Sequence, residues 1–107
     1  MRGFQVAPPE LEGVLLEDPN IIDCAVIGVK LRPDHESPRA YVVRRPGSSI
    51  TEDEAKAIIS TKLASYKALT GGVVFVPEIP KSASGKILKR ILREQAEEEL
   101  KGGRSKL

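Results

Sequence analysis

The sequence has one cysteine, one histidine, no tryptophan and only 4% aromatic residues in 107 positions. Each scarcity removes a class of function. Cys24 has no second cysteine with which to form an intramolecular disulfide or a thiolate metal cluster. It lies in the apolar run Ile21-Ile22-Asp23-Cys24-Ala25-Val26-Ile27, so a reduced core thiol is expected. His35 stands in a charged segment without the partners that metal binding or nucleophilic catalysis would need, and no metal ligand is assigned. A formal net charge of +2 and few aromatics supply neither the basic excess nor the stacking surfaces of a nucleic-acid binder. Nucleic acid is therefore not an expected partner. No apolar run approaches the roughly 20 residues of a bilayer span, and none opens the chain in the manner of a secretory signal.

What remains is 40% hydrophobic and 30% charged, the balance of one domain around one core. Phe4 and Val6 flank Gln5 in a short extended segment at residues 1–7. Pro8-Pro9 suits the first turn of a helix, and Leu11, Val14 and Leu15 make its apolar stripe. Ile21 to Val29 reads as a buried strand. Lys30 to Pro38 is polar and reads as a loop, and Arg39 to Arg44 returns as the second strand of a hairpin. Thr51-Glu52-Asp53-Glu54 is a capping box for a helix running to about Ala64 with Ala55, Ile58, Ile59 and Leu63 inward. Val73 to Val76 is a third strand. Helix, strand, strand, helix, strand, helix predicts an α+β fold with a central three-stranded sheet flanked by helices.

The remaining stretch is Pro80-Lys81-Ser82-Ala83-Ser84-Gly85-Lys86-Ile87-Leu88-Lys89-Arg90. Small and polar residues open into an amphipathic helix expected to end near Leu100. Lys86, Lys89, Arg90 and Arg93 fall toward its positive end, and Glu97, Glu98 and Glu99 toward its negative end. Each exposed charge so placed opposes the helix dipole by roughly 0.3–1 kcal/mol. Two readings follow: the cations hold an anion, or they form a solvated face with pairs such as Arg93 to Glu97. Gly85-Lys86 invites comparison with a nucleotide-binding P-loop, but Pro80 and Ile87 occupy positions where that motif has glycine and Ser or Thr. Hydrolysis by that device is excluded, while anion binding by a helix start is not. At the other end, Ser105-Lys106-Leu107 matches the receptor-read peroxisomal address, with Gly102-Gly103 before it to free the tripeptide.

The Pro80–Arg90 stretch closely resembles the C-terminal signature of the adenylate-forming acyl-CoA synthetases, the superfamily that includes 4-coumarate–CoA ligases, luciferases and peptide-synthetase adenylation domains. Gly3-Phe4-Gln5-Val6-Ala7-Pro8-Pro9-Glu10-Leu11-Glu12 resembles the segment just after that family's hinge, and points to the 4-coumarate–CoA ligase-like and fatty acyl-CoA branch. The likeness covers residues 2–95 in order. It implies that residues 1–101 form the mobile C-terminal domain and residues 102–107 a flexible tail carrying the targeting tripeptide. It implies a two-step reaction: a carboxylic acid and ATP give an acyl-adenylate, then coenzyme A displaces AMP to give a thioester. In that scheme Lys86 is catalytic in the first step, Arg2 and Gly3 line the coenzyme A path, and Gln5 faces the acyl-adenylate.

The resemblance further implies that magnesium accompanies ATP outside this domain. The expected partners are a large N-terminal domain, the acid, ATP, coenzyme A and a peroxisomal import receptor. The large domain's phosphate-binding loop, acyl pocket and hinge residue are not in this sequence, which is expected to start just past the hinge and to be inactive alone. The segment Asp34-His35-Glu36-Ser37-Pro38 lacks a glycine common in the family, so a different turn is expected there. The competing reading is a non-enzymatic anion-binding or interaction module that uses the same basic helix start.

Overall fold

The computed structural model describes residues 8–32, 35–62, 69 and 71–105. Its elements are α1 (Pro8–Leu16), β1 (Ile21–Arg32), β2 (His35–Arg44), α2 (Glu52–Lys62), β3 (Gly72–Phe75) and α3 (Lys89–Ser105). The sheet order is β1-β2-β3, with β1 antiparallel to β2 and β2 parallel to β3. A parallel neighbour requires a crossover, and α2 supplies it. The fold is α+β with one three-stranded mixed sheet and three helices. The extended segment expected at residues 1–7 lies outside the described residues.

Alternation along β1 explains why helices cover both faces of the sheet. Cys24 and Val26 point to one side and Ala25, Ile27 and Val29 to the other, and all five are buried. A strand apolar on both faces needs cover on both. Leu11 and Leu15 of α1, with Ala55 and Ile59 of α2, close the first face over Val26, Ala40 and Val42. Leu92 and Ala96 of α3 close the second over Ala25, Ile27 and Tyr41, together with Ile79 from the approach to α3. Cys24 is 1% exposed. Burial first, and then the nearby charges of Glu12 and Asp23, push its thiol up to about 12, as suits an unreactive core residue.

The capping box forms as expected. The Glu54 amide donates to Thr51 Oγ1 at 3.1 Å, and the Thr51 amide donates to Glu54 Oε1 at 2.9 Å. Beside them, Glu52 Oε2 accepts the Val73 amide at 3.1 Å, tying the start of α2 to β3. That hydrogen bond is the main cause holding the Glu52 carboxyl below its ordinary value.

Several boundaries differ from the sequence expectation. The Lys30–Pro38 loop is largely strand: β1 reaches Arg32, β2 starts at His35, and Gly28 stands opposite Pro38. A mid-strand proline is tolerated because the Pro38 carbonyl accepts the Gly71 amide at 2.8 Å, on the side of β3. A strand residue's N and O point the same way, so the missing donor also faces that side, where β3 first pairs one residue later at Arg39. No bond of the β1–β2 ladder is lost. The second difference is at the end of α3, which continues past Leu100 through Gly102-Gly103 to Ser105. Each glycine weakens a helix by about 1 kcal/mol relative to alanine but does not forbid it. Lys106 and Leu107 lie outside the described residues. The third is the end of α2, at Lys62 rather than about Ala64; Leu63, expected inward, also lies outside the described residues.

Candidate functional site

The signature stretch was expected to run from a loop straight into a helix. It instead forms a small hairpin before the helix. Lys81 and Ile87 make an antiparallel bridge. Inside it the Ser82 amide donates to the Lys86 carbonyl at 2.9 Å, and the Gly85 amide donates to the Ser82 carbonyl at 2.9 Å. Gly85 has a φ of 90°, the left-handed conformation that closes a three-residue hairpin loop, here Ala83-Ser84-Gly85. Ser82 Oγ adds a bond from the Lys86 amide at 3.2 Å and lies 3.0 Å from Ser84 Oγ. The Leu88 amide donates to the Pro80 carbonyl at 2.9 Å, closing the base. Lys86 is thus on the return arm, and α3 starts only at Lys89.

This geometry removes the helix-start basis on which anion binding was expected. The amides of Ser82, Gly85, Lys86 and Leu88 are already bonded to the hairpin's own acceptors, so they do not form a backbone cradle. Lys86 is not in the helix and does not oppose its dipole. The Lys86 side chain is the hairpin's cation outside the ion pairs of the described residues.

The neighbouring lysines are held elsewhere. Lys81 Nζ lies 2.6 Å from Asp23 Oδ2, and Lys89 Nζ lies 2.9 Å from Glu12 Oε2. Among the described residues, Lys86 joins none of the ion pairs and its side chain is exposed. Among the described residues, the hairpin therefore presents one unpaired ammonium between two paired ones. It presents it on an exposed turn. A groove of about 400 Å³ lies between α1 and α2, lined by Val14, Pro19, Ala57, Ile58 and Thr61 among others, and no hairpin residue borders it.

The acidic turn of α3 also reads differently in three dimensions. Glu97 to Glu99 lie mid-helix because α3 runs on to Ser105, and the dipole effect is confined to the terminal turns. Glu99 is a structural partner: its Oε1 lies 2.8 Å from Arg39 Nη1 and accepts the Tyr41 hydroxyl at 3.0 Å. Arg39 is itself buried and donates from Nε to the Gly71 carbonyl at 2.8 Å. The suggested Arg93–Glu97 pair is not among the ion pairs of the described residues. Sequence reasoning missed the roles of Glu12, Asp23, Arg39 and Glu99. The available signal was a charged residue beside an apolar stripe or run, but no spacing rule links positions so far apart.

Of the residues assigned from the sequence, Lys86 is placed as described, and the backbone of Ser105 is at the end of α3. Arg2, Gly3, Gln5, Lys106 and Leu107 lie outside the described residues. Among the described residues, no three His, Cys, Asp or Glu side chains gather in a way that could hold a metal ion, and no helix is long and apolar enough to cross a membrane.

The sheet, its helical cover and the hairpin define a small domain whose hairpin carries Lys86 exposed at the surface. Residues 10–86 match the family model for the AMP-binding enzyme C-terminal domain, and the chain belongs to that family. It is 65% identical over 99 residues to the acyl-CoA synthetase ACTT5 of Alternaria alternata, covering 90% of this chain and 17% of that protein. It is 54% identical over 92 residues to 4-coumarate–CoA ligase 2 of Nicotiana tabacum, covering 86% and 17% respectively. Among solved structures, the ATP-bound MatB of Rhodopseudomonas palustris superposes with a TM-score of 0.77 at 35% identity, over 87% of this chain and 18% of that one. The chain thus spans less than a fifth of the length of these relatives.

The left-handed Gly85 yields a direct test of the hairpin. A Cβ there meets no atom within 4 Å beyond its chain neighbours, so the penalty for alanine comes from the backbone conformation. Gly85→Ala should lower unfolding stability by about 1–2 kcal/mol in a denaturant titration with the m-value unchanged, and Gly85→Asn by less.

Proposed function

We propose that this chain is the C-terminal domain of an ATP-dependent acid–CoA ligase, and that Lys86 serves its adenylation half-reaction. One observation carries the reading: among the described residues, Lys86 joins no ion pair, while the lysines on either side of it in the closed hairpin are ion-paired. In adenylation a carboxylate oxygen attacks the α-phosphate of ATP, the new P–O bond forms, and pyrophosphate leaves. Two anions must approach, and negative charge builds on the α-phosphate oxygens. An ammonium delivered there stabilises that charge more in the transition state than in the ground state. A lysine on a projecting hairpin suits delivery into a chamber formed by another domain.

In the second half-reaction the thiol of coenzyme A attacks the acyl carbonyl and AMP leaves. The proposal assigns Arg2 and Gly3 to the coenzyme A path and Gln5 to the adenylate side, on family resemblance. Magnesium bound with ATP, and the acid itself, belong to the large N-terminal domain in this scheme. The alternative of a free-standing anion-binding module gains no support from the relatives, which are acyl-CoA synthetases and ligases.

In the complete ligase, Lys86→Ala should reduce adenylate formation from acid and ATP by about 10²-fold or more. Thioester formation from supplied acyl-adenylate should stay within a few-fold. Retention of wild-type adenylation by the variant would refute the assignment. The Ser105-Lys106-Leu107 terminus is proposed as a peroxisomal address read by an import receptor. A fluorescent reporter ending in these residues should be punctate and peroxisomal, and should become diffuse when Leu107 is removed; the same distribution for both would contradict the proposal.

A further inference from the structure

We infer that Glu12 and Lys89 are positioning residues for Lys86, forming a clamp that fixes the hairpin's return arm to α1; the inference rests on the adenylation role proposed for Lys86. Glu12 is well placed to be an anchor. Its side chain is 12% exposed, and its Oε2 takes the Val26 amide of β1 at 2.7 Å as well as Lys89 Nζ at 2.9 Å. The carboxylate is therefore held by the sheet before it holds the lysine. Lys89 follows Lys86 closely, and the residues between them are constrained too: Ile87 by its bridge to Lys81 and Leu88 by its bond to Pro80. Little backbone slack separates Lys89 from Lys86.

The outgoing arm is fixed in the same way. Asp23 Oδ1 accepts the Cys24 amide at 2.9 Å, while its Oδ2 meets Lys81. Both arms of the hairpin are thus tied to carboxylates that β1 amides hold in place. A lysine in the first turn of α3 is unfavourable by dipole alone, and Glu12 supplies the opposing charge that makes Lys89 suitable there. Neither Glu12 nor Lys89 touches the reacting atoms in the proposed reaction. Their effect is on where the Lys86 ammonium arrives, and a misplacement near 1 Å can lower a rate by about 10²-fold.

The test compares Lys89→Met, Glu12→Gln and Lys89→Arg in the complete ligase. Glutamine keeps an acceptor for the Val26 amide while removing the charge. The first two variants should lower kcat for adenylation by about 10-fold, leaving thioester formation from supplied adenylate unchanged, and Lys89→Arg should restore most of the loss. Unchanged adenylation in Lys89→Met, with Lys86→Ala inactive, would overturn the clamp alone. Wild-type adenylation in Lys86→Ala would instead overturn the ligase role of Lys86. A readout independent of activity uses the present chain: Lys89→Met should speed amide hydrogen exchange at Ser82, Gly85 and Lys86 while core amides such as Val42 and Ile59 keep their rates. Unchanged hairpin exchange, or an equal rise in the core, would mean that the pair is a general stabiliser and would overturn the inference.

Discussion

Two carboxylates that receive β1 amides also receive the lysines on either side of a small hairpin, and the presentation of Lys86 depends on that arrangement. Glu12 accepts the Val26 amide and pairs with Lys89; Asp23 accepts the Cys24 amide and pairs with Lys81. A backbone hydrogen bond limits the freedom of each carboxylate before any lysine arrives. The energetic value of each pair is modest because the lysines remain partly exposed, at 38% and 26% of the side chain. Their consequence is positional. They leave Lys86 as the lysine of the hairpin with no partner among the described residues.

The rest of the fold serves that frame. β1 can hold Glu12 and Asp23 in register only if it is itself fixed, and burial on both faces fixes it. Leu11 and Leu15 bring α1 onto one face, which places Glu12 near Val26. Leu92 and Ala96 bring α3 onto the other, which places Lys89 at the start of a docked helix. At the far side of that helix, Glu99 meets buried Arg39 and the Tyr41 hydroxyl. A buried guanidinium left unpaired would be strongly destabilising, so this contact secures the orientation of α3 on β2.

The parts legible in the sequence were those governed by local or periodic rules. The apolar run around Cys24, the Thr51–Glu54 cap and the element order all correspond to the structure. Pro38 misled because proline signals a turn, and only the position of β3 reveals that its missing donor is not needed. The acidic run at Glu97–Glu99 misled because the dipole argument needs the true helix end, which glycine placement did not mark. Lys86 was identifiable from its motif, yet the reason it joins no ion pair among the described residues was not. That reason lies with Glu12 and Asp23, which precede it by more than half the chain and meet its neighbours only after the sheet has formed.

The central claim is that, among the described residues, the hairpin holds Lys81 and Lys89 in ion pairs and leaves Lys86 outside them. Amine-reactive footprinting of the folded chain, read lysine by lysine by mass spectrometry, measures this directly. Lys86 should be modified faster than both Lys81 and Lys89, and the difference should disappear in denaturant. Equal rates for the three lysines in the folded state would contradict the account.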